Sequence, residues 1–242
     1  MSNPSDTKIY IKVADIYPYL MRSIRYDKWA KYIYEIVKSS VKSTDTILEL
    51  GAGNGKLAYH FKKYYPHIII TDLSFNMLNQ GGISSVSKIC CDMLNTPFNS
   101  KFNLIYSAFD SVNYLTSHKK MLSFFIEIKR ILNKDGIFTF DVSLERNSLK
   151  HVKEPFRKGK YKGIYFVQKS KYSPRSRIHS NIFNIETETE KFCENHRQKI
   201  YPFEEYFRFI EKAGLYVSEC FEAFTFNNGN AECERVQFVV RN

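Results

Sequence analysis

A cluster of glycines follows a buried-strand pattern early in the chain, with a carboxylate just before it. The segment from Glu49 to Gly55 reads Glu-Leu-Gly-Ala-Gly-Asn-Gly, between a predicted strand and a predicted helix. Glycines at such a junction let the backbone turn tightly against a ligand, toward which the helix amides point. The dinucleotide fingerprint G-x-G-x-x-G needs glycine where Lys56 stands, and Glu49 would repel a pyrophosphate. The spacing therefore favours a cationic or amine-bearing ligand over NAD.

Two more carboxylates end the next two predicted strands. Asp72 lies 21 residues after Gly51, where an acid can accept hydrogen bonds from both hydroxyls of a ribose. Asp92 ends the third strand, near where an adenine amino group would lie. A ribose, an adenine and a positively charged amino-acid moiety together describe S-adenosylmethionine. We therefore expect this cofactor, with S-adenosylhomocysteine as its product.

The elements that position these residues alternate between short apolar runs and helix-period segments, which is typical of a parallel sheet with crossover helices. The first half predicts strands at 46–50, 68–72, 88–92, 103–107 and 137–142, and helices at 27–38 (capped by Asp27), 56–65 and 118–132. The second half predicts half-exposed antiparallel strands at 164–168, 177–186 and 188–193, then a helix at 203–213 and closing strands at 215–226 and 235–240.

The positive charge of the chain is local. The 242 residues carry a formal net charge of +11, from 36 Lys and Arg against 25 Asp and Glu. The stretch from Arg146 to Ser180 holds eleven basic residues and one acid, Glu154, so it accounts for +10 of that total. Such a segment indicates either an anionic partner or a solvated basic surface.

Cysteine usage and hydropathy indicate the compartment. The five cysteines are an odd number without C-x-x-C spacing, which indicates reduced thiols and no zinc or other metal site. The first six residues are polar, and no window approaches the roughly 18 apolar residues of a membrane span. We expect a cytoplasmic protein without a membrane partner, either a monomer or a homodimer.

The sequence resembles class I S-adenosylmethionine-dependent methyltransferases along nearly its full length. Residues 47–55 look like the first motif of that family, and 71–78 look like the block after its ribose-binding acid. Residues 102–115 and 132–137 are similar to its fourth-strand block and the turn that follows. The resemblance implies an α/β, Rossmann-like sheet, mostly parallel with an antiparallel last strand. It assigns 1–145 and 197–242 to the cofactor-binding domain and 146–196 to an inserted antiparallel β lid.

A narrower resemblance is to a bacterial small-molecule subgroup that carries such a lid and includes amino-sugar N-methyltransferases. Residues 17–21, 26–29 and 194–201 match its entry segment and the strand that leaves its lid. This sequence departs from the subgroup at Pro18, where an acid is usual, and in the basicity of its lid. The resemblance implies methyl transfer to a nitrogen or oxygen of a small, anionic substrate, such as a nucleotide-linked sugar.

The resemblance also implies roles for individual residues. The expected cofactor-binding residues are Glu49, Gly51, Ala52, Gly53, Asn54, Gly55, Asp72, Leu73, Met77, Asp92, Met93 and Phe109. The expected substrate-binding residues, including aromatic walls suited to a sulfonium, are Tyr17, Tyr26, Trp29, Asp110, Asn113, Tyr114 and Arg197. Arg197 could pair with anionic substrate groups. His196 is the candidate catalytic residue, as a general base or a hydrogen-bond partner of the substrate.

Two other functions remain open at this point. The basic lid could grip RNA, which would make the chain an RNA methyltransferase. No appended RNA-binding module and no Asn-Pro-Pro-Tyr-type motif after the fourth strand accompany it, since that strand is followed by residues 107–110, Ser-Ala-Phe-Asp. A non-catalytic, cofactor-binding regulator is the third interpretation, although such a protein need not keep an intact glycine loop together with Asp72.

Overall fold

The computed structural model describes residues 9–80 and 86–242, so the polar start of the chain lies outside the described residues. The helices are α1 (Val13–Leu20), α2 (Tyr26–Val37), α3 (Lys56–Phe61), α4 (Phe75–Gln80), α5 (His118–Ile131), α6 (Glu145–His151) and α7 (Phe203–Lys212). The strands are β1 (Ile47–Leu50), β2 (Ile68–Asp72), β3 (Ser87–Cys90), β4 (Phe102–Ser107), β5 (Leu132–Ser143), β6 (Phe156–Tyr161), β7 (Ile164–Ser173), β8 (Ile178–Glu186), β9 (Lys191–Lys199), β10 (Tyr216–Glu222) and β11 (Arg235–Arg241).

The main sheet has seven strands in the order β10-β11-β5-β4-β1-β2-β3. β1 pairs in parallel with β2 and β4, and β5 continues this parallel arrangement beside β4. β11 is antiparallel to both β5 and β10. This confirms the predicted Rossmann-like sheet with an antiparallel last strand. The carboxyl ends of β1, β2 and β4 therefore meet at one edge, where ligands bind in open α/β sheets.

Helices cover both faces of this sheet because their apolar residues recur at helical spacing. On one face α5 buries Met121, Phe124, Phe125 and Ile128 against β5 and β11. On the other face α2 and α3 bury a second apolar cluster that includes Trp29. The two clusters hold the sheet between layers of helices, so the edge that carries the glycine loop is rigidly placed.

A second sheet follows α6, with the antiparallel order β6-β7-β8-β9. This confirms the expected lid sheet. The structure adds β6 and α6, which the sequence did not predict, and extends β9 to Lys199, three residues past the expected lid boundary. Phe166, Phe183 and Ile185 of the lid pack against Val13 and Ile16 of α1. The lid thus rests on a helix that precedes the cofactor-binding motifs.

Several expected boundaries were wrong. Asp27 does not cap α2, whose N-cap is Arg25; instead the Arg25 guanidinium pairs with the Asp27 carboxylate at 2.8 Å. α3 ends at Phe61 rather than at residue 65, and β5 begins at Leu132, directly after α5. All five cysteines are unpaired thiols. Within residues 9–80 and 86–242, no helix combines the length and apolarity needed to cross a bilayer.

Candidate active site

A cavity of about 640 Å³ opens at the carboxyl ends of β1, β2 and β4. The glycine loop after β1, the turn after β2 and residues 9–11 before α1 all contribute to its wall. The predicted residues that line it are Tyr17, Tyr26, Gly51, Ala52, Gly53, Asn54, Asp72, Leu73, Met77, Asp92, Met93, Phe109, Tyr114 and Arg197. The fold thus brings most of the sequence-predicted site to one place.

The glycine loop adopts a backbone that ordinary residues rarely adopt. Gly51 and Gly53 have φ angles of +66° and +58°, and an added Cβ on Gly53 would lie 3.0 Å from Met77 Cε. The Ala52 N–H donates to the Thr71 carbonyl at 2.9 Å, which ties the loop to β2. Gly55 does not line the cavity; it is the left-handed N-cap of α3. The loop is therefore a fixed, side-chain-free cradle.

Asp72 closes β2 with both carboxylate oxygens directed at loop amides. Its Oδ2 accepts the Gly53 N–H at 2.7 Å and its Oδ1 accepts the Ser74 N–H at 2.8 Å. Burial raises the pKa of Asp72, and these two hydrogen bonds offset part of that rise. Each oxygen keeps a second lone-pair direction, so the carboxylate can still accept the two hydroxyls of a ribose.

Asn54 and Asp92 offer polar groups of opposite kind to a ligand. Asn54 lines the cavity, and its buried Nδ2 has no hydrogen-bond partner among the described residues. Asp92 Oδ1 accepts the Leu94 N–H at 2.9 Å, which holds its carboxylate in the wall. A donor beside the glycine cradle and an acceptor farther along the edge suit the carboxylate and the adenine of S-adenosylmethionine.

Glu49 lies beneath the loop rather than in the cavity wall. Its side chain is 2% exposed, and its Oε2 accepts the Tyr106 hydroxyl at 2.9 Å. Burial raises the pKa of Glu49 to about 8, even though the hydrogen bond from Tyr106 lowers it. A role for Glu49 in holding the cofactor amine stays a prediction, and the geometry requires it to act from under the loop.

Three tyrosines line the cavity opposite the loop. The Tyr10 ring lies 5.9 Å from the Tyr17 ring, edge to face, and 6.1 Å from the Tyr114 ring. Burial raises the pKa of all three hydroxyls above the usual value, so they are neutral. The sequence analysis missed Tyr10, because it stands alone in a segment without periodicity. Other lining residues that it missed are Ser74, Ser111, Thr116, Lys120 and Asn195.

His196 does not line the cavity, which corrects the expectation that it meets the substrate directly. Its side chain is buried behind Tyr10, with ring centroids 4.5 Å apart. Its Nδ1 lies 3.1 Å from the Tyr114 hydroxyl and its Nε2 lies 3.2 Å from Glu194 Oε2. Any part that His196 takes in the reaction must pass through Tyr114.

Three predicted substrate residues also lie outside the cavity wall. Trp29 packs behind Phe109, with ring centroids 4.3 Å apart. Asp110 pairs with Arg235. Asn113 is fully buried and donates from Nδ2 to the Lys199 carbonyl at 2.9 Å, so it joins the turn after β4 to the end of β9. These side chains support the site instead of contacting its contents.

The positive charge in the cavity wall is sparse. Among the described residues, Arg197 on β9 and Lys120 on α5 are the cationic side chains that line it. None of the eleven basic residues of the 146–180 stretch lines the cavity, so this stretch does not supply the positive charge of the cavity wall. A basic residue of the lid therefore need not lie near the cavity, because alternate residues of a strand point to opposite faces of the sheet.

Comparisons with known proteins agree with this geometry. Residues 47–136 match the family model described as a methyltransferase domain. The protein named "Putative methyltransferase YqeM" from Bacillus subtilis (strain 168) is 28% identical over 95% of this chain and 96% of its own length. These two matches span the glycine loop and the turn after β2.

Solved structures share the fold over nearly the whole chain. A S-adenosylmethionine-dependent methyltransferase from Clostridium acetobutylicum ATCC 824 superposes with a TM-score of 0.78 at 22% identity, covering 96% of this chain and 98% of its own. CalS10, an amino pentose methyltransferase from Micromonospora echinaspora solved with the cofactor bound, superposes with a TM-score of 0.70 at 16% identity over the full length of both. The methyltransferase domain, the curated relative and the shared fold together support S-adenosylmethionine-dependent methyl transfer as the activity, on the fold of the class I methyltransferases.

Proposed function

We propose that the chain methylates a nitrogen or oxygen atom of a small anionic acceptor, such as an amino sugar linked to a nucleoside diphosphate. The observation that carries the proposal is Arg197. Its guanidinium lies in the cavity wall, and in the described part of the chain it has no carboxylate partner. A planar, permanently charged fork of this kind suits bidentate pairing with a phosphate or carboxylate.

We assign the two ends of the cavity to different partners. Asp72, Asn54 and the glycine cradle would hold the cofactor, which supplies an activated methyl group on its sulfonium when bound. Asn195 and Arg197 reach the cavity from β9, so the lid would supply the acceptor side. The amino pentose specificity named for CalS10 supports a sugar amine as acceptor, on a chain of the same fold. Alignment and exclusion of water would then provide most of the rate.

The proposal is tested by following labelled methyl groups from the cofactor into two pools. One pool holds nucleoside-diphosphate-linked amino sugars, and the other holds total RNA. Methylation in the first pool is the expected result. Arg197→Gln should raise the KM for the charged acceptor about tenfold and leave cofactor affinity unchanged, because the charge-assisted hydrogen bonds to the acceptor's anionic group are lost.

Matched controls come from the lid itself. The triple charge reversal of Lys158, Lys160 and Lys162 should leave the KM unchanged, since these lysines lie on β6 and the loop after it, outside the cavity wall. Labelling of RNA that this reversal weakens would favour the RNA methyltransferase interpretation. Equal turnover of an uncharged amine and its nucleotide-linked form would contradict an anionic acceptor.

A further inference from the structure

Four side chains form a continuous hydrogen-bonded chain from the cavity to the interior of the lid. The Tyr10 and Tyr114 hydroxyls lie 2.9 Å apart. The Tyr114 hydroxyl lies 3.1 Å from His196 Nδ1, and His196 Nε2 lies 3.2 Å from Glu194 Oε2. Both tyrosines line the cavity, whereas His196 and Glu194 are buried. The chain therefore connects the substrate space to a carboxylate that no substrate reaches.

The far end of the chain is anchored on α1. Glu194 Oε1 accepts the backbone N–H groups of Lys12 at 2.5 Å and Val13 at 3.1 Å. Burial raises the pKa of Glu194, but the hydrogen bonds from His196, Lys12 and Val13 lower it by more, so its pKa lies below the usual value. Glu194 is thus an ionised carboxylate, which can only accept hydrogen bonds.

An ionised Glu194 sets the direction of every hydrogen bond in the chain. Its Oε2 needs a donor, which His196 Nε2–H supplies, and in the neutral imidazole this leaves the lone pair on Nδ1. The Tyr114 hydroxyl must then donate to Nδ1, and its oxygen accepts the hydroxyl of Tyr10. Because the Tyr10 hydroxyl donates to Tyr114, its proton is not available to a ligand in the cavity. Its oxygen still has lone pairs, so it can accept a hydrogen bond from that ligand. The wall therefore presents an acceptor at Tyr10.

We propose, on the basis of the proposed function, that Tyr10 receives the proton of the methyl acceptor and that Tyr114 passes it to His196. The lone pair of the acceptor nitrogen or oxygen forms the bond to the methyl carbon, and the electron pair of the broken carbon–sulfur bond stays on sulfur. The acceptor's proton moves to the Tyr10 oxygen, the Tyr10 proton to the Tyr114 oxygen, and the Tyr114 proton to His196 Nδ1. The resulting imidazolium faces the Glu194 carboxylate.

Two features of Tyr10 suit this role. Its backbone is left-handed, with φ of 58°, a conformation that a non-glycine residue keeps only where its surroundings enforce it. Its hydroxyl is neutral at physiological pH, because burial raises its pKa well above the usual value. A neutral hydroxyl can accept and donate a proton in one step, which a relay requires and a tyrosinate base does not.

Glu194 also holds the start of α1, so a purely structural role must be separated from the relay. Glu194→Gln does this because the amide is isosteric. Its oxygen can keep accepting from Lys12 and Val13, and its NH₂ then donates to His196 Nε2. This forces the imidazole proton onto Nδ1 and reverses the chain, while the contact with α1 survives. Glu205→Gln is the matched control, because Glu205 Oε2 lies at the same 3.2 Å from His118 Nε2 on the surface.

The experiment combines ¹⁵N NMR of histidine-labelled full-length protein with turnover of the nucleoside-diphosphate-linked amino sugar panel. We expect the Nε2–H tautomer of His196 in the wild type and the Nδ1–H tautomer in Glu194→Gln. Tyr10→Phe and Glu194→Gln should each lower kcat about a hundredfold, with unchanged cofactor affinity, whereas Glu205→Gln should turn over normally. The double variant that combines Tyr10→Phe with Glu194→Gln should be little slower than either single variant, because both substitutions interrupt the same relay.

Two results would overturn the relay. One is an Nδ1–H tautomer in the wild type, which would make Tyr10 a donor. The other is wild-type turnover in Tyr10→Phe. If no member of the panel is methylated, the proposed function fails, and the tautomer still decides the direction of the hydrogen-bonded chain. A fall in cofactor affinity or melting temperature that matches the loss of turnover in Glu194→Gln would assign this residue to anchoring α1 alone.

Discussion

Gly51 and Ser111 approach each other so closely that the glycine has no room for a side chain. A Cβ added to Gly51 would lie 2.8 Å from Ser111 Cβ, and the Ser111 hydroxyl donates to the Gly51 carbonyl at 3.2 Å. Both residues line the cavity. The turn after β4 therefore packs directly on the glycine loop, and the shape of the cavity depends on this contact.

Gly51→Ala should weaken cofactor binding at least tenfold. The new methyl group must displace Ser111, whose Cβ belongs to a short 3-10 turn and cannot move alone. The φ of +66° strains the folded variant, which lowers its unfolding free energy by about 1–3 kcal/mol. Isothermal titration with S-adenosylmethionine measures the affinity, and urea unfolding measures the stability.

Gly163→Ala separates the clash from the strain. Gly163 has φ of +82°, but an added Cβ would meet nothing within 4 Å. This variant should lose a similar stability through strain and keep the affinity of the wild type. Equal affinities for the two alanine variants would show that the contact between Gly51 and Ser111 does not shape the cofactor site.

The motif-bearing half of the site could be predicted because the chemistry follows strand ends. Gly51 directly follows β1 and Asp72 is the last residue of β2, and parallel strands bring their carboxyl ends to one edge. Tyr10 could not be found in this way, since it reaches the cavity from a segment before α1 that has no periodicity. α1 was not predicted either, because it contains Pro18 and a proline within a segment argues against a helix there.

The lid was predicted as a sheet, but its faces were not. Alternation along β9 is visible in the sequence, yet it does not say which face meets the cavity. The structure turns Asn195 and Arg197 toward the cavity and buries Glu194 and His196. His196 was therefore singled out for its chemistry, while its connection to the cavity through Tyr114 depends on a contact between residues 82 positions apart.

Glu49 should make the stability of the free protein depend on pH. Its pKa is about 8 in the fold, because burial disfavours the charged form, whereas an unfolded glutamate titrates near 4.5. The fold thus holds a proton that the unfolded chain has lost. Its contribution to stability is complete below pH 4.5 and is lost as the pH rises toward 8 and beyond.

Glu49→Gln removes this dependence, since its amide oxygen can still accept the Tyr106 hydroxyl. We expect the unfolding free energy of the wild type to fall relative to that of the variant from pH 5 to pH 8. Urea unfolding of both proteins across this range measures the difference, in which other titrating groups cancel. A difference that does not change with pH would mean that Glu49 is ionised in the free protein.

Arg235 on β11 balances two acids at the other side of the cavity wall. Its guanidinium pairs with the carboxylates of Asp110 and Asp141, and the Asp110 N–H donates to Asp141 Oδ2 at 3.1 Å. Asp141 is fully buried, and burial raises its pKa even though Arg235 lowers it. Phe109, next to Asp110, lines the cavity with a left-handed backbone of φ 59°. This ion group therefore holds the turn that carries Phe109.

Arg235→Met should lower the unfolding free energy by about 3–5 kcal/mol at pH 7, because it leaves the buried carboxylate of Asp141 and the half-buried carboxylate of Asp110 without a cation. Because Arg235 lowers the pKa of Asp141, its loss raises that pKa further, so the variant's deficit should shrink as the pH falls and Asp141 becomes protonated. Adding Asp110→Asn should restore part of the loss. Arg241→Met, on the same strand, is the control. In the described part of the chain the Arg241 guanidinium is hydrogen-bonded to Ser40 at the surface, and its loss should change stability by less than about 0.5 kcal/mol. Urea unfolding at pH 7 and pH 5 measures the unfolding free energy of the wild type, the two single variants and the double variant. If the stability deficit of Arg235→Met is the same at both pH values, the two carboxylates are solvated rather than balanced by Arg235.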